Sequence, residues 1–321
     1  MCPSKYEPID PSGMRCRSIH QRPSKVSLSD FARPHVKGGG IEGWLASLPN
    51  ILAGREFRQL IKAVLTAREK KRAILWGLGA HVIKCGLSPL LIDLMDRGFL
   101  TGLALNGAGS IHDFEIALVG ATSEEVSKEL DAGDFGTSEE TNSWMNEAIR
   151  QGASANQGLG EALGQYILDQ TTHRFVYPNL SLLASAYTRE IPVTVHVALG
   201  TDIIHNHPSA SGEALGKTGL QDFRLFTSMV RDLDEGGVFL NCGSAVLLPE
   251  VFLKAVNMVR NLGFPLRNFT TANLDFIQHY RPIQNVVKRP TEGGGRGISL
   301  TGHHELMIPL LAAVLIEKSL P

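Results

Sequence analysis

The sequence predicts an α/β protein with a doubly wound, mostly parallel sheet. Two observations carry this prediction. Short apolar runs alternate with longer amphipathic segments from about residue 41 onward, and each apolar run ends in Gly, Asn, Thr or His. Such alternation is typical of βαβ units, in which helices cover a parallel sheet. With 321 residues and 43% hydrophobic content, the chain is long enough to bury the core of one large domain.

The apolar runs define the predicted strands, and the amphipathic segments between them define the predicted helices. The predicted strands are 73–79, 100–107, 191–200, 236–243, 268–274 and 297–302. The predicted helices are 82–97, 111–131, 158–170, 179–190, 219–234, 249–262 and 304–318. Residues 132–158 are polar and glycine-rich, so we expect a surface excursion there that contains a short helix.

Residues 1–40 differ in composition from the rest of the chain. They are rich in Pro, Ser, Arg and Lys and end in KGGG, which indicates a flexible N-terminal arm. We therefore expect a single α/β domain over residues 41–321.

Composition argues against several classes of partner. The chain has 31 basic and 32 acidic side chains, and its net charge of −1 gives no global field for nucleic acid or an anionic membrane. No apolar run approaches the roughly 18 residues of a membrane span. Cys2, Cys16, Cys85 and Cys242 form no CxxC pair, which favours a reduced, cytoplasmic protein.

A turn of small residues follows the second predicted strand, in GLALNGAGSIHDFE (102–115). Such a turn lets the backbone approach a ligand, and the amides of the next helix can bind a phosphate. The spacing is not that of the complete G-x-G-x-x-G fingerprint, so tight strand–helix packing is an equal alternative. Residues 76–86 and 292–297 contain two further glycine turns, and Arg296 in the latter is available for an anion.

Five segments, taken in order, resemble successive blocks of the deoxyhypusine synthase family. They are 73–122, 187–200, 236–263, 269–276 and 300–318. The resemblance implies a doubly wound fold of that type, with NAD at the carboxyl ends of the strands. It also implies a homotetramer with active sites between paired subunits, in which residues 1–40 cover a neighbour's site. The small-molecule substrate of that family is the polyamine spermidine.

The same resemblance implies a set of cofactor-binding residues. The family's Thr-Ala-Gly-Gly turn resembles residues 107–110, and the two acids that follow it correspond to His112 and Asp113. A Thr-Ala pair near the cofactor is similar to residues 271–272, and an Asn and an Asp around the cofactor correspond to His81 and His303. The implied NAD-binding residues are His81, Gly107, Ala108, Gly109, Ser110, Asp113, Thr271, Ala272 and His303.

The chain departs from the family in its catalytic stretch, which here reads LDFIQHYRPIQNVVKRP (274–290). Only Arg281 and Pro282 match, and Lys288 is the nearest candidate for the lysine nucleophile; its alternative is an ordinary surface lysine. The family's catalytic histidine corresponds to Ala255. The sequence therefore predicts a deoxyhypusine synthase-like, NAD-dependent transferase acting on an amine or another small substrate, rather than authentic deoxyhypusine synthesis.

Seven of the eleven histidines fall at predicted strand ends: His81, His112, His196, His205, His207, His303 and His304. Neutral imidazole is a common zinc ligand. An alternative hypothesis is therefore a zinc-dependent hydrolase or lyase, with the metal held by His205, His207, His112 and His303 and with Asp113 or Asp202 as a carboxylate ligand or base.

Within the NAD hypothesis, His112 or His205 is the predicted general base. A third hypothesis is a non-catalytic oligomeric binding protein, since most of the family's catalytic residues are missing.

Overall fold

The computed structural model describes residues 5–319. Its helices, in chain order, are α1 (Gly40–Ser47), α2 (Leu52–Glu69), α3 (Ala80–Lys84), α4 (Ser88–Asp96), α5 (Gly107–Val119), α6 (Val126–Ala132), α7 (Glu139–Ala155), α8 (Leu159–Leu168), α9 (Leu182–Thr188), α10 (Gly212–Arg231), α11 (Leu247–Asn261), α12 (Tyr280–Pro282) and α13 (His304–Lys318). A π-helical turn, Ile283–Lys288, follows α12.

The described residues form a six-stranded sheet with helices packed against it. The strands are β1 (Ile74–Leu78), β2 (Gly102–Asn106), β3 (Val193–His196), β4 (Val238–Cys242), β5 (Thr270–Asp275) and β6 (Arg296–Thr301). Their order is β3-β2-β1-β4-β5-β6, and every neighbouring pair is parallel. This confirms the predicted doubly wound α/β class. The strand order reverses between β1 and β4, in the middle of the sheet.

The two faces of the sheet bury separate hydrophobic clusters. Ile74, Trp76 and Leu78 of β1 belong to one cluster, and Leu75 belongs to the other. On the second face Phe239 stacks on Phe252, with ring centroids 4.0 Å apart. Because successive residues of a strand point to opposite faces, a central strand must be apolar throughout. This is why the strands are visible as continuous apolar runs.

All six predicted strands are confirmed, but three expectations about helices are wrong. The predicted helix 82–97 is divided into α3 and α4, and Gly86 between them has a left-handed φ of 74°. The predicted helix 111–131 is interrupted, since α5 ends at Gly120, whose φ of 76° is left-handed and stops the helix. The expected surface excursion at 132–158 contains α7, a helix of 17 residues. Met145, Ala148 and Ile149 of α7 are buried in the core, at a helical spacing that the surrounding polar residues obscure.

The segment before α1 contains three short 3-10 turns, Pro11–Gly13, Ile19–Gln21 and Leu28–Asp30, and its side chains are mostly exposed. A contact of 3.4 Å between Asp30 and Arg55 joins its end to α2. The division into an arm over 1–40 and a domain over 41–321 stays a prediction. Over residues 5–319 we find no helix with the length and apolar character that a membrane crossing requires.

The turns after β1 and β4 approach so closely that only glycine fits. A Cβ at Gly79 would lie 2.1 Å from the carbonyl oxygen of Gly243, whereas a Cβ at Gly216, on the exposed face of α10, would meet nothing within 4 Å.

We expect Gly79→Ala to lower the free energy of unfolding by more than about 2 kcal/mol, because the backbone must move. Gly216→Ala is the matched control and should raise it by about 0.5–1 kcal/mol through helix propensity. Urea unfolding measures both, and equal effects of the two variants would contradict the packing described.

Candidate active site

The carboxyl ends of the strands form the edge at which a doubly wound sheet binds ligands, above all where the strand order reverses. Here that point lies between β1 and β4. The amide of Gly79 donates a hydrogen bond to the carbonyl of Cys242 over 2.8 Å, which ties the two turns together. The turn Gly77–Gly79 is therefore the glycine turn at the centre of the edge. The glycines of this turn are visible in the sequence. Its central position is not, because that position depends on the strand order.

The small-residue turn that opens α5 lies beside this centre, at the end of β2. Asn106 caps the helix by accepting a hydrogen bond from the amide of Gly109 over 2.9 Å. The hydroxyl of Ser110 donates to the carbonyl of Gly107 over 2.7 Å, so it is used within the helix. Gly107, Ala108, Gly109 and Ser110 thus lie at the predicted edge, and all but Ala108 are buried.

Asp202 covers the start of α5. A Cβ at Gly107 would lie only 2.0 Å from Oδ2 of Asp202. Asp202 is 8% exposed, and its Oδ2 has no hydrogen-bond partner within residues 5–319. Burial raises the pKa of this carboxyl group to about 6. A buried carboxylate oxygen without a donor is costly, which marks Asp202 as a group that a ligand can satisfy.

A cavity of 220 Å³ opens next to Asp202. Its walls come from α3, α5, the segment 123–135 and the loop after β3. Its charged and titratable residues are Lys84, His112, Glu115, Glu124 and Asp202. Three carboxyl groups face one lysine and one histidine, so the cavity favours a cationic ligand.

His112 is fixed by a short network on the wall of this cavity. Its Nδ1 lies 2.6 Å from the hydroxyl of Thr122, and that hydroxyl donates a hydrogen bond to Glu115. Burial would raise the pKa of Glu115, but its hydrogen bonds with His112 and Thr122 outweigh burial and hold that pKa below its ordinary value. The Nε2 of His112 makes no hydrogen bond to the described residues and is free for a ligand.

Asp113 lies one residue further along α5 but points away from the edge. It is fully buried and accepts hydrogen bonds from the Ser181 hydroxyl at 2.5 Å and from the amides of Leu182 and Leu183 at 2.6 and 3.1 Å. Burial raises its pKa to about 6, against the effect of these three donors. Asp113 therefore caps the start of α9, and these three donors occupy its oxygens. The sequence predicts a contact with the cofactor for this residue.

Lys288, Thr271 and Ala272 are not brought to the carboxyl edge. Thr271 and Ala272 lie inside β5, and the Thr271 hydroxyl donates to the carbonyl of Val286 over 2.7 Å. A Cβ at Gly297, near the start of β6, would meet the carbonyl of Val287. These contacts place the turn that carries Lys288 at the amino end of β5 and β6, where Lys288 is exposed.

The four histidines of the predicted zinc site are also separated. His112 contacts Thr122 and Glu115, while His207 lies 3.6 Å from Glu139. Nδ1 of His205 accepts from the amide of Gly200, and burial lowers the pKa of His205. No three of the four predicted ligands converge within the described part of the chain, so the set His205, His207, His112 and His303 is corrected.

A different set of metal-ligating side chains does converge at this edge. His81 and Cys85, one turn apart at α3, meet Glu305 at the start of α13, and their ligand atoms all lie within 4.8 Å of one another. Nδ1 of His303 lies 3.7 Å from the other carboxylate oxygen of Glu305. Sequence reasoning singled out His81 and His303 but missed Cys85 and Glu305, because the pair is 220 residues apart. The i, i+4 spacing of His81 and Cys85 was the available signal.

Two further histidines of the edge are structural. His196 is buried at the end of β3, its Nε2 3.0 Å from the Thr194 hydroxyl, and burial lowers its pKa to about 4. His304 is fully buried under Gly243, with its Nε2 3.0 Å from the carbonyl of Leu274. Both rings fill space between the strand ends and help to position the turns above them.

No protein-family model and no curated protein matches the sequence. Among solved structures, the chain is similar to a "putative deoxyhypusine synthase" from Entamoeba histolytica, with a TM-score of 0.53, 13% identity, and 90% of this chain and 97% of that chain covered. A "conserved putative LOR/SDH protein" from Methanococcus maripaludis S2 has a TM-score of 0.49 at 14% identity and covers 81% of this chain and 69% of its own.

AgrE in ternary complex with ornithine and NAD+ matches with a TM-score of 0.49 at 13% identity, and the match covers 81% of this chain but 32% of AgrE. The first of these likenesses confirms the expected fold, that of a deoxyhypusine synthase-type structure. At such low identity it shows the fold alone.

The raised pKa of Asp202 predicts a pH-dependent effect of Asp202→Asn. The folded state holds the proton up to about pH 6, whereas the unfolded chain releases it near the ordinary aspartate pKa of 3.8, so the wild-type protein loses stability as the pH rises through this window. The amide does not ionise. We therefore expect the stability of Asp202→Asn relative to wild type to increase between about pH 4 and about pH 8, by at most roughly 3 kcal/mol.

Urea unfolding of both proteins at the two pH values measures this difference. Asp169→Asn is the control, because Asp169 is exposed and the nearby Thr171 hydrogen bonds lower its pKa instead. A relative stability of Asp202→Asn that does not change with pH would contradict the burial of an ionisable group at this position.

Proposed function

We propose that this protein is an NAD-dependent enzyme that oxidises a small amine and transfers part of it, as the resemblance to deoxyhypusine synthase implies. The observation that carries the proposal is the juxtaposition at one edge. A glycine turn at the reversal of strand order lies beside an acidic cavity that contains a buried, unpartnered carboxylate oxygen.

The centre of the edge fits a dinucleotide. All six strands are parallel in the order that dinucleotide-binding sheets have, and Gly77 and Gly79 follow the first two glycines of the G-x-G-x-x-G pattern. The third glycine is replaced by the buried Val82, which packs α3 against the sheet. Ala80 and the start of α3 would hold the pyrophosphate, since the amide of Gly79 is already bonded to the carbonyl of Cys242.

The turn of residues 107–110 does not fit a phosphate in the same way, because Asp202 already covers it. A second anion there would face a carboxylate across about 4 Å, which is unfavourable. Asp202 instead suits an amine or a pair of ligand hydroxyl groups, both of which donate hydrogen bonds. Together with Glu115 and Glu124, it makes the cavity a site for a cationic amine.

The residues of the cavity can carry out the proton transfers of amine oxidation. NAD, when bound, supplies a hydride acceptor for the carbon next to the amine nitrogen. Asp202 and Glu124 bind and orient the ammonium group of the substrate. His112, which Thr122 and Glu115 orient through Nδ1, accepts the proton that the nitrogen loses. An ammonium ion that loses this proton and gives a hydride to NAD+ would become an iminium ion, so atoms, electrons and charge would balance.

Lys84 is the lysine that lies at the cavity, on the last turn of α3. We assign to it the acceptor role that sequence reasoning gave to Lys288. The neutral amine of Lys84 would attack the oxidised carbon of the substrate. The bond from that carbon to the substrate nitrogen would then break, and the rest of the substrate would leave as a free amine. The transferred group would stay bound to Lys84. A homotetramer with sites between subunits remains part of the proposal, on the resemblance alone.

A titration of the full chain with NAD+ in a calorimeter tests the cofactor. We expect binding at millimolar NAD+ or below, and loss of at least about tenfold in affinity in Ala80→Glu. A glutamate is favourable in the first turn of a helix, so this variant should fold, but its charge repels a pyrophosphate.

Ala155→Glu adds the same charge at an exposed position of α7 and is the control. Absence of NAD+ binding to the wild-type chain, or equal binding by the two variants, would remove the dinucleotide from the proposal.

Reductive trapping tests the amine and the lysine together. The protein is incubated with NAD+ and a panel of diamines and polyamines, then treated with borohydride, and the modified residue is located by peptide mass spectrometry. We expect the adduct on Lys84, its loss in Lys84→Arg, and no change in Lys288→Arg. An adduct on Lys288, or trapping that survives in Lys84→Arg, would refute the assignment of Lys84.

A further inference from the structure

The cluster of His81, Cys85 and Glu305 shares no residue with the proposed amine cavity. Nε2 of His81 lies 3.3 Å from Sγ of Cys85, and Sγ lies 3.6 Å from Oε2 of Glu305. Tetrahedral zinc has bonds of about 2.3 Å to sulfur and about 2.0–2.1 Å to nitrogen and oxygen, so two of its ligand atoms stand roughly 3.5 Å apart. The two distances to Sγ of Cys85 are close to this value, and all three ligand atoms lie within 4.8 Å of one another.

We propose that His81, Cys85 and Glu305 bind a Zn²⁺ ion, with a fourth coordination position open to water or substrate. The ligand types are those that zinc prefers, a thiolate, an imidazole and a carboxylate. Three protein ligands with an open position are typical of zinc sites that act on a substrate, whereas structural sites are closed by four protein ligands.

The backbone fixes two of the ligands relative to each other. The amide of Cys85 donates to the carbonyl of His81 over 2.9 Å, which closes one helical turn and places both side chains on one face. The His81 ring also packs against Phe276 and His304, with centroids 5.9 and 5.5 Å away. These contacts restrict the ring, so less conformational entropy is lost when it coordinates a metal.

The third ligand is oriented by a neighbour. Oε2 of Glu305 faces Cys85, while Oε1 lies 3.7 Å from Nδ1 of His303. Partners that hold the remaining atoms of a metal ligand are a usual feature of metal sites. His303, expected from sequence to be a direct ligand, is thereby placed as the orienting residue of Glu305.

A nucleophilic cysteine is a poorer explanation of the same cluster. A cysteine nucleophile needs a stabilised thiolate, with the carboxylate placed on the far side of the histidine. Here the thiol of Cys85 donates a hydrogen bond to Oε2 of Glu305 over 3.6 Å, so the carboxylate holds the proton on the sulfur and does not orient the histidine as a base. A divalent cation that replaces this proton would be bound by the thiolate and the carboxylate together.

Cobalt substitution tests the site without knowledge of any reaction. The full chain, made metal-free and kept reduced, is titrated with Co²⁺ while its absorption spectrum is recorded. We expect one equivalent of Co²⁺ to produce a thiolate-to-cobalt charge-transfer band in the near ultraviolet and intense visible bands typical of tetrahedral cobalt. One equivalent of Zn²⁺ should then remove both.

Variants assign the signal to the cluster. A Cys2→Ser, Cys16→Ser background excludes the N-terminal cysteines and should leave the titration unchanged. Cys85→Ser in that background should abolish the charge-transfer band. Glu305→Gln, at an exposed position, should keep the band but weaken Co²⁺ affinity more than about tenfold, since even the loss of an outer partner of a metal ligand costs 10- to 100-fold.

His20→Ala removes a histidine outside the cluster and should leave the Co²⁺ titration unchanged, because His20 is exposed in the N-terminal segment. Urea unfolding of each variant establishes that it is folded. If one equivalent of Co²⁺ produces no charge-transfer band with the wild-type chain, the cluster is a hydrogen-bonded thiol only and the proposed metal site is refuted. A band that survives in Cys85→Ser, or an affinity that Glu305→Gln leaves unchanged, would overturn it equally. The cobalt titration contains no NAD+ and measures the metal alone, so this proposal and the NAD+ proposal can fail separately.

Discussion

The backbone contact between the turns after β1 and β4 determines where every group of the carboxyl edge lies. Gly79 donates its amide to Cys242, and neither turn has room for a side chain between them. His304 packs under Gly243 and contacts the carbonyl of Leu274, which places the start of α13 against the same point. Because α3 begins immediately after Gly79, this one contact brings residues 81, 85 and 305 together from opposite ends of the chain.

Much of the fold was predictable from sequence, and the reason is physical. A parallel strand covered on both faces is apolar at every position, so 74–78 and 238–242 are recognisable without knowledge of their neighbours. The helix α7 was not, because several of its buried positions are polar, among them Thr141, Asn142 and Asn146. The candidate site was predictable in part. The turn at 107–110, His112 and Asp202 follow predicted strands, and they lie at the carboxyl edge of the sheet as expected. Strand order, and with it the central position of Gly79, depends on packing between distant segments that local pattern does not encode.

Three buried aspartates show why residue type alone could not identify the ligand-binding group. Asp113 and Asp222 are almost fully buried, and each accepts hydrogen bonds from backbone amides; those to Asp222 come from Gly160 at 2.9 Å and Val195 at 2.7 Å. Burial raises the pKa of both, yet each has donors that stabilise its charge. Oδ1 of Asp222 has no partner within residues 5–319 either, but both of its amide donors bind Oδ2 and stabilise the charge. Asp202 has an unpartnered Oδ2 and no such donors, and burial alone raises its pKa. Missing donors, which only the folded structure reveals, separate a carboxylate that awaits a ligand from one that holds the fold.

The helix α3 connects the two proposed sites. It is one turn and a half long, and it carries His81 and Cys85 toward α13 while Lys84 lies at the cavity beside α5. An isolated helix of this length has no stability of its own in water, so its conformation depends on the contacts at its two sides. A metal bound by His81 and Cys85 would therefore restrict the position of Lys84 as well. The carboxyl edge then works as one unit, in which the central glycine turn sets the backbone and α3 relates metal, lysine and cavity to one another.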